Sequence, residues 1–209
     1  MGENIDDSFI RLTKDLYKGI NFEDEAQKLE EVLDKAKKER DVQQYIKANK
    51  SWFIPASLFW CYDFGHQLAY IAPEQKLGKE YQVDYTLLGR NSSGWHLVFI
   101  EFEDVNVDFK LKNANTVTQQ VRKGLTQIYD WKRWIEDNKQ YYLRGTGILS
   151  LCENIPNWGI NYCLVVSRRN RMDGLSNELR GRLEEEHRAL KIVSYDRLVD
   201  NTKKLVNGF

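Results

Sequence analysis

Residues 81–103 read YQVDYTLLGRNSSGWHLVFIEFE, and the fold follows from how this stretch is interpreted. Its two ends, residues 81–88 and 95–103, are rich in the β-branched and aromatic residues that favour strands. The segment between them, GRNSSG, carries the glycine, asparagine and serine that are typical of turns. The stretch therefore predicts a β-hairpin whose turn is centred between Ser92 and Ser93.

Three carboxylates lie inside these predicted strands, where acidic residues are uncommon. Asp84 is in the middle of the first strand, whereas Glu101 and Glu103 are two residues apart on the second and share one face. The predicted turn places Asp84 opposite Glu101, with Cβ atoms roughly 5 Å apart, so the three acids are expected to converge. A second interpretation stays open, in which the acids simply occupy the solvent face of an antiparallel hairpin.

Clustered carboxylates repel each other, and a hard divalent cation with oxygen ligands removes that repulsion. We therefore predict a Mg²⁺ or Mn²⁺ site at Asp84, Glu101 and Glu103, to which the backbone carbonyl of Phe102 could add a ligand. A metal bound there suits phosphodiester hydrolysis, because it polarises the phosphate and lowers the pKa of an attacking water.

The composition is that of an ordinary globular protein. The 209 residues include 42% hydrophobic residues and 31 Lys and Arg against 31 Asp and Glu, which excludes a disordered or collagen-like chain. No apolar run approaches the roughly 18 to 20 residues of a membrane span, so we expect a cytoplasmic protein with no membrane partner. Three widely spaced cysteines, Cys61, Cys152 and Cys163, lack a C-x-x-C pair and argue against zinc and against a disulfide framework.

The first part of the chain has helical spacing of apolar residues from about residue 22 to residue 48. The charge-rich residues 34–41 indicate a junction. Glu39 within them is interpreted as a solvated helix residue, with an entry-helix acid of the site as the alternative. We therefore divide the chain into an N-terminal helical extension (1–40) and a main domain (41–209).

An amphipathic helix is predicted after the hairpin, from an N-cap at Asn115 or Thr116 to about Asn138. Its apolar stripe consists of Val117, Val121, Leu125 and Ile128. A second stripe consists of Gln120, Lys123, Gln127 and Trp131.

The last third of the chain predicts a buried strand at 159–166, a helix at 175–189, a short strand at 191–194 and a closing helix at 195–206, capped by Gly208. Taken together, the elements predict an α/β (α+β) fold with a central mixed sheet flanked by helices. The hairpin of this sheet carries the acidic site.

Four short segments in order resemble the Shedu antiphage-defence nuclease domain, a member of the PD-(D/E)XK nuclease superfamily. They read GKEYQVD (78–84), VFIEFE (98–103), QIYDW (127–131) and SYDRL (194–198), and the resemblance extends over roughly residues 41–206. It implies a restriction-endonuclease-like fold and a Mg²⁺-dependent endonuclease that acts on DNA in antiphage defence.

The resemblance also implies roles for individual residues. Asp84 and Glu101 match the two metal ligands and Gln127 matches the glutamine of the following helix, but Glu103 stands where the pattern has a lysine. Two compensations are open: Glu103 acts as base or further ligand, or Lys123, one turn before Gln127, reaches the site from the helix. Surface positions for Lys123 and Gln127 are the plainer alternatives.

Partner predictions rest on fewer residues. Arg168, Arg169 and Arg171 form a basic cluster after the buried strand, which suits phosphate contacts but also suits a solvated turn. Because a neutral protein needs local patches or several copies to hold a polyanion, we expect DNA as partner and a homo-oligomer. The alternative function is a catalytically silent nuclease-fold module for DNA binding or assembly. His66, His96 and His187 do not belong to a local sequence motif with Cys or Ser and are assigned no catalytic role.

Overall fold

The structure is a computed structural model that describes residues 5–62, 64–65 and 67–207, with the side chains of 206 and 207 excluded. Its centre is a six-stranded sheet in the order β1-β2-β3-β4-β5-β6. The strands are β1 (Ile10–Arg11), β2 (Leu68–Leu77), β3 (Tyr81–Asn91), β4 (Gly94–Phe102), β5 (Ile160–Val165) and β6 (Leu190–Val193). The helices are α1 (Phe22–Lys35), α2 (Glu39–Asn49), α3 (Phe53–Ala56), α4 (Gln119–Gly145), α5 (Gly174–Glu186) and α6 (Tyr195–Lys203).

The sheet is mixed, as the sequence predicts. The pairs β1–β2, β2–β3 and β3–β4 are antiparallel, whereas β4–β5 and β5–β6 are parallel. The carboxyl ends of β4 and β5 therefore meet at the edge of the sheet where β2 ends and β3 begins. This edge carries the predicted site.

Helices cover both faces of the sheet and bury two separate apolar layers. The layer beneath α1, α2 and α6 includes Leu29, Ile46 and Leu198. The layer beneath α4 includes Val121 and Trp131. The predicted fold class, a central mixed sheet flanked by helices, is confirmed.

The hairpin has the predicted register. Asn91 pairs with Gly94 and the ladder continues to Tyr85 opposite Ile100, which centres the turn between Ser92 and Ser93. The turn chemistry therefore sets the register correctly, because a tight turn of known length fixes every pair that follows it.

Helix α4 differs from its prediction at both ends and in one stripe. Its N-cap residue is Thr118, and the helix continues to Gly145, beyond the predicted end at Asn138. Trp131, assigned to the second stripe, is fully buried. It lies three residues after Ile128 and four before Ile135, so it belongs to the apolar row that faces the sheet.

The N-terminal helical region consists of two helices. Asn21 caps α1, its Oδ1 accepting from the amides of Glu23 (3.1 Å) and Asp24 (3.4 Å). A break at 36–38 precedes α2, where the carboxylate of Asp41 accepts from the amides of Lys37 (2.7 Å) and Lys38 (3.2 Å). The break lies inside the predicted junction, and the division at residue 40 stays a prediction, although α1 packs in the same apolar layer as α6.

The remaining elements agree with the sequence in type. The predicted elements at 159–166, 175–189, 191–194 and 195–206 correspond to β5, α5, β6 and α6. The three cysteines are free thiols, of which Cys163 is buried. His66 and Gly208 lie outside the described residues. No helix in the described ranges is long and apolar enough to cross a membrane.

Because α1 packs in the same apolar layer as α6, a substitution in α1 tests whether this helix is part of the main core. We expect Leu29→Ala to lower the free energy of unfolding by about 2 to 4 kcal/mol, because the side chain is fully buried and its removal leaves a cavity. Urea denaturation followed by fluorescence should still show one transition. Leu16→Ala is the matched control, since Leu16 is 47% exposed. A wild-type midpoint for Leu29→Ala would contradict the integration of α1 into the core.

Candidate metal centre

The site begins where the β3–β4 ladder stops. The last paired residues are Tyr85 and Ile100, and the next pair would join Asp84 to Glu101. There, the carboxylate Oδ2 of Asp84 accepts a hydrogen bond of 2.7 Å from the backbone amide of Phe102. A side chain thus replaces a backbone carbonyl as the acceptor, and Asp84 is held beside the end of β4.

Glu101 is a deeply buried acid of the site. The residue is 4% exposed, and its Oε2 atom is inaccessible and has no hydrogen-bond partner. Burial raises the pKa of Glu101 far above its usual range, and the nearby charges of Asp84 and Glu103 raise it further. A buried carboxylate oxygen without a partner is costly, and a cation is one way to compensate it.

The pKa of Asp84 is raised as well. Burial raises the pKa of its carboxyl to about 7, against the opposing hydrogen bonds from the Phe102 amide and the Gln43 side chain. Asp84 and Glu101 therefore hold protons more tightly than ordinary carboxyls do. This is the behaviour expected of two acids that share one poorly solvated space.

Glu103 is buried but has a cationic partner. Its Oε1 lies 2.9 Å from Nζ of Lys123, whose side chain is 65% exposed and reaches down from α4. The hydrogen bond to Glu103 raises the pKa of Lys123, while burial raises the pKa of Glu103 in spite of that bond. Lys123 thus reaches the site from the helix, which was one of the two compensations that the sequence left open.

Gly124 permits this arrangement, and sequence reasoning missed it. A Cβ atom at this position would lie 2.7 Å from Cγ of Glu103 and 2.6 Å from Cδ1 of Leu164. Helix α4 can therefore lie against the ends of β4 and β5 only because residue 124 has no side chain. A buried glycine inside a helix that is otherwise rich in good helix formers was the available signal.

Helix α2 contributes two further polar groups, Glu39 and Gln43. Gln43 donates to the carboxylate of Asp84, and the charge of Glu39 raises the pKa of Asp84, Glu101 and Glu103. Glu39 is half-buried at the start of α2, so its side chain is only partly solvated. Gln127 is half-buried on α4, one turn after Lys123.

The predicted convergence of three acids on one point needs correction. Among the described residues, no three His, Cys, Asp or Glu side chains are placed so that they could together hold a metal ion. Glu103 is turned to Lys123, and within the part of the chain that the structure describes no such cationic partner lies at Asp84 or Glu101. Two carboxylates with the orphaned oxygen of Glu101 nevertheless fit Mg²⁺, which commonly takes one or two carboxylates and keeps several waters.

The arginine cluster follows β5, so it lies at the same edge of the sheet as Glu101. Arg168 has a side chain that is 12% exposed and sits between Asp34 (2.9 Å) and Asp196 (3.1 Å), which joins α1 to α6. The side chains of Arg169 and Arg171 are more exposed and pair with Asp200 and with Asp108, respectively.

Most of the chain, including the site, matches a known family. Residues 36–199 match the family model described as Shedu protein SduA, C-terminal. The chain belongs to the Shedu SduA C-terminal family. Membership implies a role in antiphage defence. No curated protein matches the chain.

The Shedu match begins just after α1 and ends within α6. It includes α2, the complete hairpin and α4, and therefore every element that contributes a side chain to the site.

The buried acids of this Shedu domain give a stability prediction. A carboxyl whose pKa is raised on folding stabilises the protein fully only below its unfolded pKa, and this contribution is lost as the pH rises through the folded pKa. Without metal, we expect Glu101→Gln to be more stable than the wild type at pH 8. The advantage should shrink by up to about 1.4 kcal/mol for each pH unit toward pH 5.

Thermal melting in a chelator, at pH 5 and at pH 8, measures this difference. Glu178→Gln is the control, because its side chain is 64% exposed. Millimolar Mn²⁺ should then raise the melting temperature of the wild type and leave Glu101→Gln unchanged, since the metal binds the ionised carboxylate of the folded state. A Glu101→Gln protein that is less stable than the wild type at both pH values would contradict the conclusion that the Glu101 carboxyl lacks a partner.

Proposed function

We propose that this Shedu domain is a divalent-metal-dependent endonuclease of the PD-(D/E)XK type that hydrolyses DNA phosphodiester bonds. The observation that carries the proposal is the buried, partnerless Oε2 atom of Glu101 beside Asp84. Folding places these two acids together at a free-energy cost, and none of the cations in the described ranges is paired with either. A divalent cation would compensate that cost.

Asp84 and Glu101 are the proposed ligands. The Phe102 carbonyl is a further candidate, because the amide of that residue points to Asp84 and the two backbone groups of one strand residue point to the same side. When bound, Mg²⁺ or Mn²⁺ would polarise the scissile phosphate and lower the pKa of the attacking water. The chain's own task is positional, since the Phe102 amide fixes Asp84 at the end of β4.

Lys123 and Glu103 act as a pair in this proposal. Lys123 brings a positive charge to the place where the superfamily pattern has a lysine, and an exposed ammonium there can stabilise negative charge that develops on the phosphate. The buried Glu103 carboxylate holds the ammonium at 2.9 Å. Glu103 becomes a third metal ligand or a base only if it leaves Lys123. Gln127, one turn further along α4, is the proposed group that orients water or the DNA backbone.

DNA is the proposed partner, with Arg169 and Arg171 as phosphate contacts at the same edge of the sheet. Both are paired with acids on the surface, and such exposed pairs are weak enough for a phosphate to displace. The chain has 31 basic and 31 acidic residues, so several copies would hold a polyanion better than one. A homo-oligomer therefore stays part of the proposal.

One observation favours the alternative, a catalytically silent module that binds DNA or supports assembly. Glu103 neutralises Lys123, so the site has lost a free cation at the position where the superfamily has one. A silent site would also account for the absence of three converging ligands among the described residues. The two functions differ in whether a divalent cation stabilises the fold and in whether DNA is cut.

Plasmid cleavage tests the proposed function. We expect the wild type to convert supercoiled plasmid to open or linear forms with Mg²⁺ or Mn²⁺, and Asp84→Asn to be at least about 10²-fold slower. Asn keeps an oxygen that can accept from the Phe102 amide, so the strand geometry is retained while the charged ligand is lost. Glu178→Gln serves as the control substitution. Equal rates for wild type and Asp84→Asn would overturn the assignment.

An exchange of charges tests the pairing of Glu103 with Lys123. Lys123→Ala should lower the cleavage rate by about 10²- to 10³-fold, the usual effect of removing one group that stabilises the transition state. Glu103→Lys together with Lys123→Glu restores the ion pair and puts the lysine on β4, so the double variant should be faster than either of its single variants. Additive losses in the double variant would show that the two residues act independently.

A further inference from the structure

A groove lies beside Asp84, between α2, the second half of β2 and the start of β3. It has a volume of about 290 Å³. Its polar lining comes from both sides of the groove and includes Arg40, Gln43, Gln44 and Lys47 from α2 and Gln82 and Asp84 from β3. The groove is therefore continuous with the proposed metal centre and lies on the side of Asp84 away from β4.

Helix α2 presents its polar residues to this groove in one row. Arg40, Gln43, Gln44 and Lys47 have the spacing i, i+3, i+4, i+7, which places them on one face of the helix. Val42 and Ile46 are fully buried and hold the opposite face against the sheet. Two cations and two amides consequently face the same space, although the chain as a whole is neutral.

An acidic side chain already occupies part of this groove. Glu74 of β2 has a φ angle of +55°, in the left-handed region that is strained for a non-glycine residue. Its carboxylate oxygens lie 2.8 and 2.9 Å from Nζ of Lys47. The side chains are 64% and 55% exposed, so the pair is held only weakly. An anionic group thus sits where Lys47 would meet a phosphate.

The groove, the acids and the arginine cluster follow one edge of the sheet. The order across the strands is the α2 groove at β2 and β3, the acids at β3 and β4, and the arginines after β5. Neighbouring strands are about 4.8 Å apart, so the whole row spans about 15 Å, which is the length of a few nucleotides. A DNA strand bound along this edge would have its scissile phosphate in the middle.

We propose that the α2 groove binds the nucleotide next to the scissile phosphate, with Arg40 and Lys47 as contacts to the sugar-phosphate backbone. This rests on the proposed function, because it takes DNA as the ligand. The glutamine amides supply additional donors, which are common phosphate and sugar contacts. Glu74 holds Lys47 in the free protein and is displaced from it by the phosphate.

Fluorescence anisotropy with a labelled DNA duplex in Ca²⁺ tests the groove. Arg40→Ala should weaken binding about 5- to 10-fold and reduce the salt dependence of log Kd by roughly one ion, as expected for one lost phosphate contact. Glu74→Gln should tighten binding by a similar factor, since Lys47 is released. The matched controls are Arg182→Ala and Glu178→Gln, an exposed pair on α5 that should bind DNA as the wild type does.

The outcomes separate the groove from the nuclease proposal. If the wild type binds DNA and both Arg40→Ala and Glu74→Gln bind it like the controls, the groove proposal is overturned and the proposed function is unaffected. If the variants shift binding as expected but plasmid is never cut, the groove stands and the nuclease proposal fails. If the wild type binds no DNA at low salt, both are overturned. Circular dichroism melting of each variant confirms that these exposed substitutions leave the fold intact.

Discussion

The hydrogen bond from the Phe102 amide to the Asp84 carboxylate separates the structural part of the hairpin from its functional part. Before it, every pair from Asn91 to Tyr85 follows the regular antiparallel register. At Asp84 a side chain takes the place of a backbone acceptor, and the paired ladder ends. The acids are therefore placed by the same register that builds the sheet, and a slip of one residue would move them to the wrong faces.

The buried acids of the site destabilise the fold, and the rest of the molecule compensates for them. Glu101 and Glu103 are both less than 5% exposed, and burial makes ionisation of each less favourable. Burial of the apolar layers on both faces of the sheet offsets the free-energy cost of burying these carboxylates. Gly124 carries a related cost, because a glycine inside a helix is less favourable than alanine by roughly 1 kcal/mol, but it allows α4 to lie against Glu103.

The parts that the sequence predicted well are those set by local chemistry. Period-two patterns and a tight turn located the hairpin and its register, and the apolar run at 159–166 identified a buried strand. Trp131 was misplaced because a helix of 27 residues has more than one row that can face the core. The break between α1 and α2 was harder to interpret, since charged residues occupy both a solvated helix and a junction.

The parts that could not be predicted are side-chain contacts between distant segments. Lys123 was one of two open compensations for Glu103, and only the packing of α4 decides that they meet. The environment of Glu39 depends on the angle at which α2 leaves the break. Arg168 reads as a phosphate contact in the sequence, yet two acids from α1 and α6 enclose it. In each case the partner is far along the chain, where no local pattern reports it.

Helix α2 contributes to both the core and the site, because one of its faces packs into the core and the opposite face lies near the acids. Its apolar face, with Val42 and Ile46, packs into the core, while Glu39 and Gln43 bear on the acids from the other side. A shift of α2 along its axis would move the charge near Asp84 and the row of groove residues together. The electrostatics of the acids and the shape of the groove are therefore not independent features. Both are set by the short break at 36–38, which is also where the family match begins.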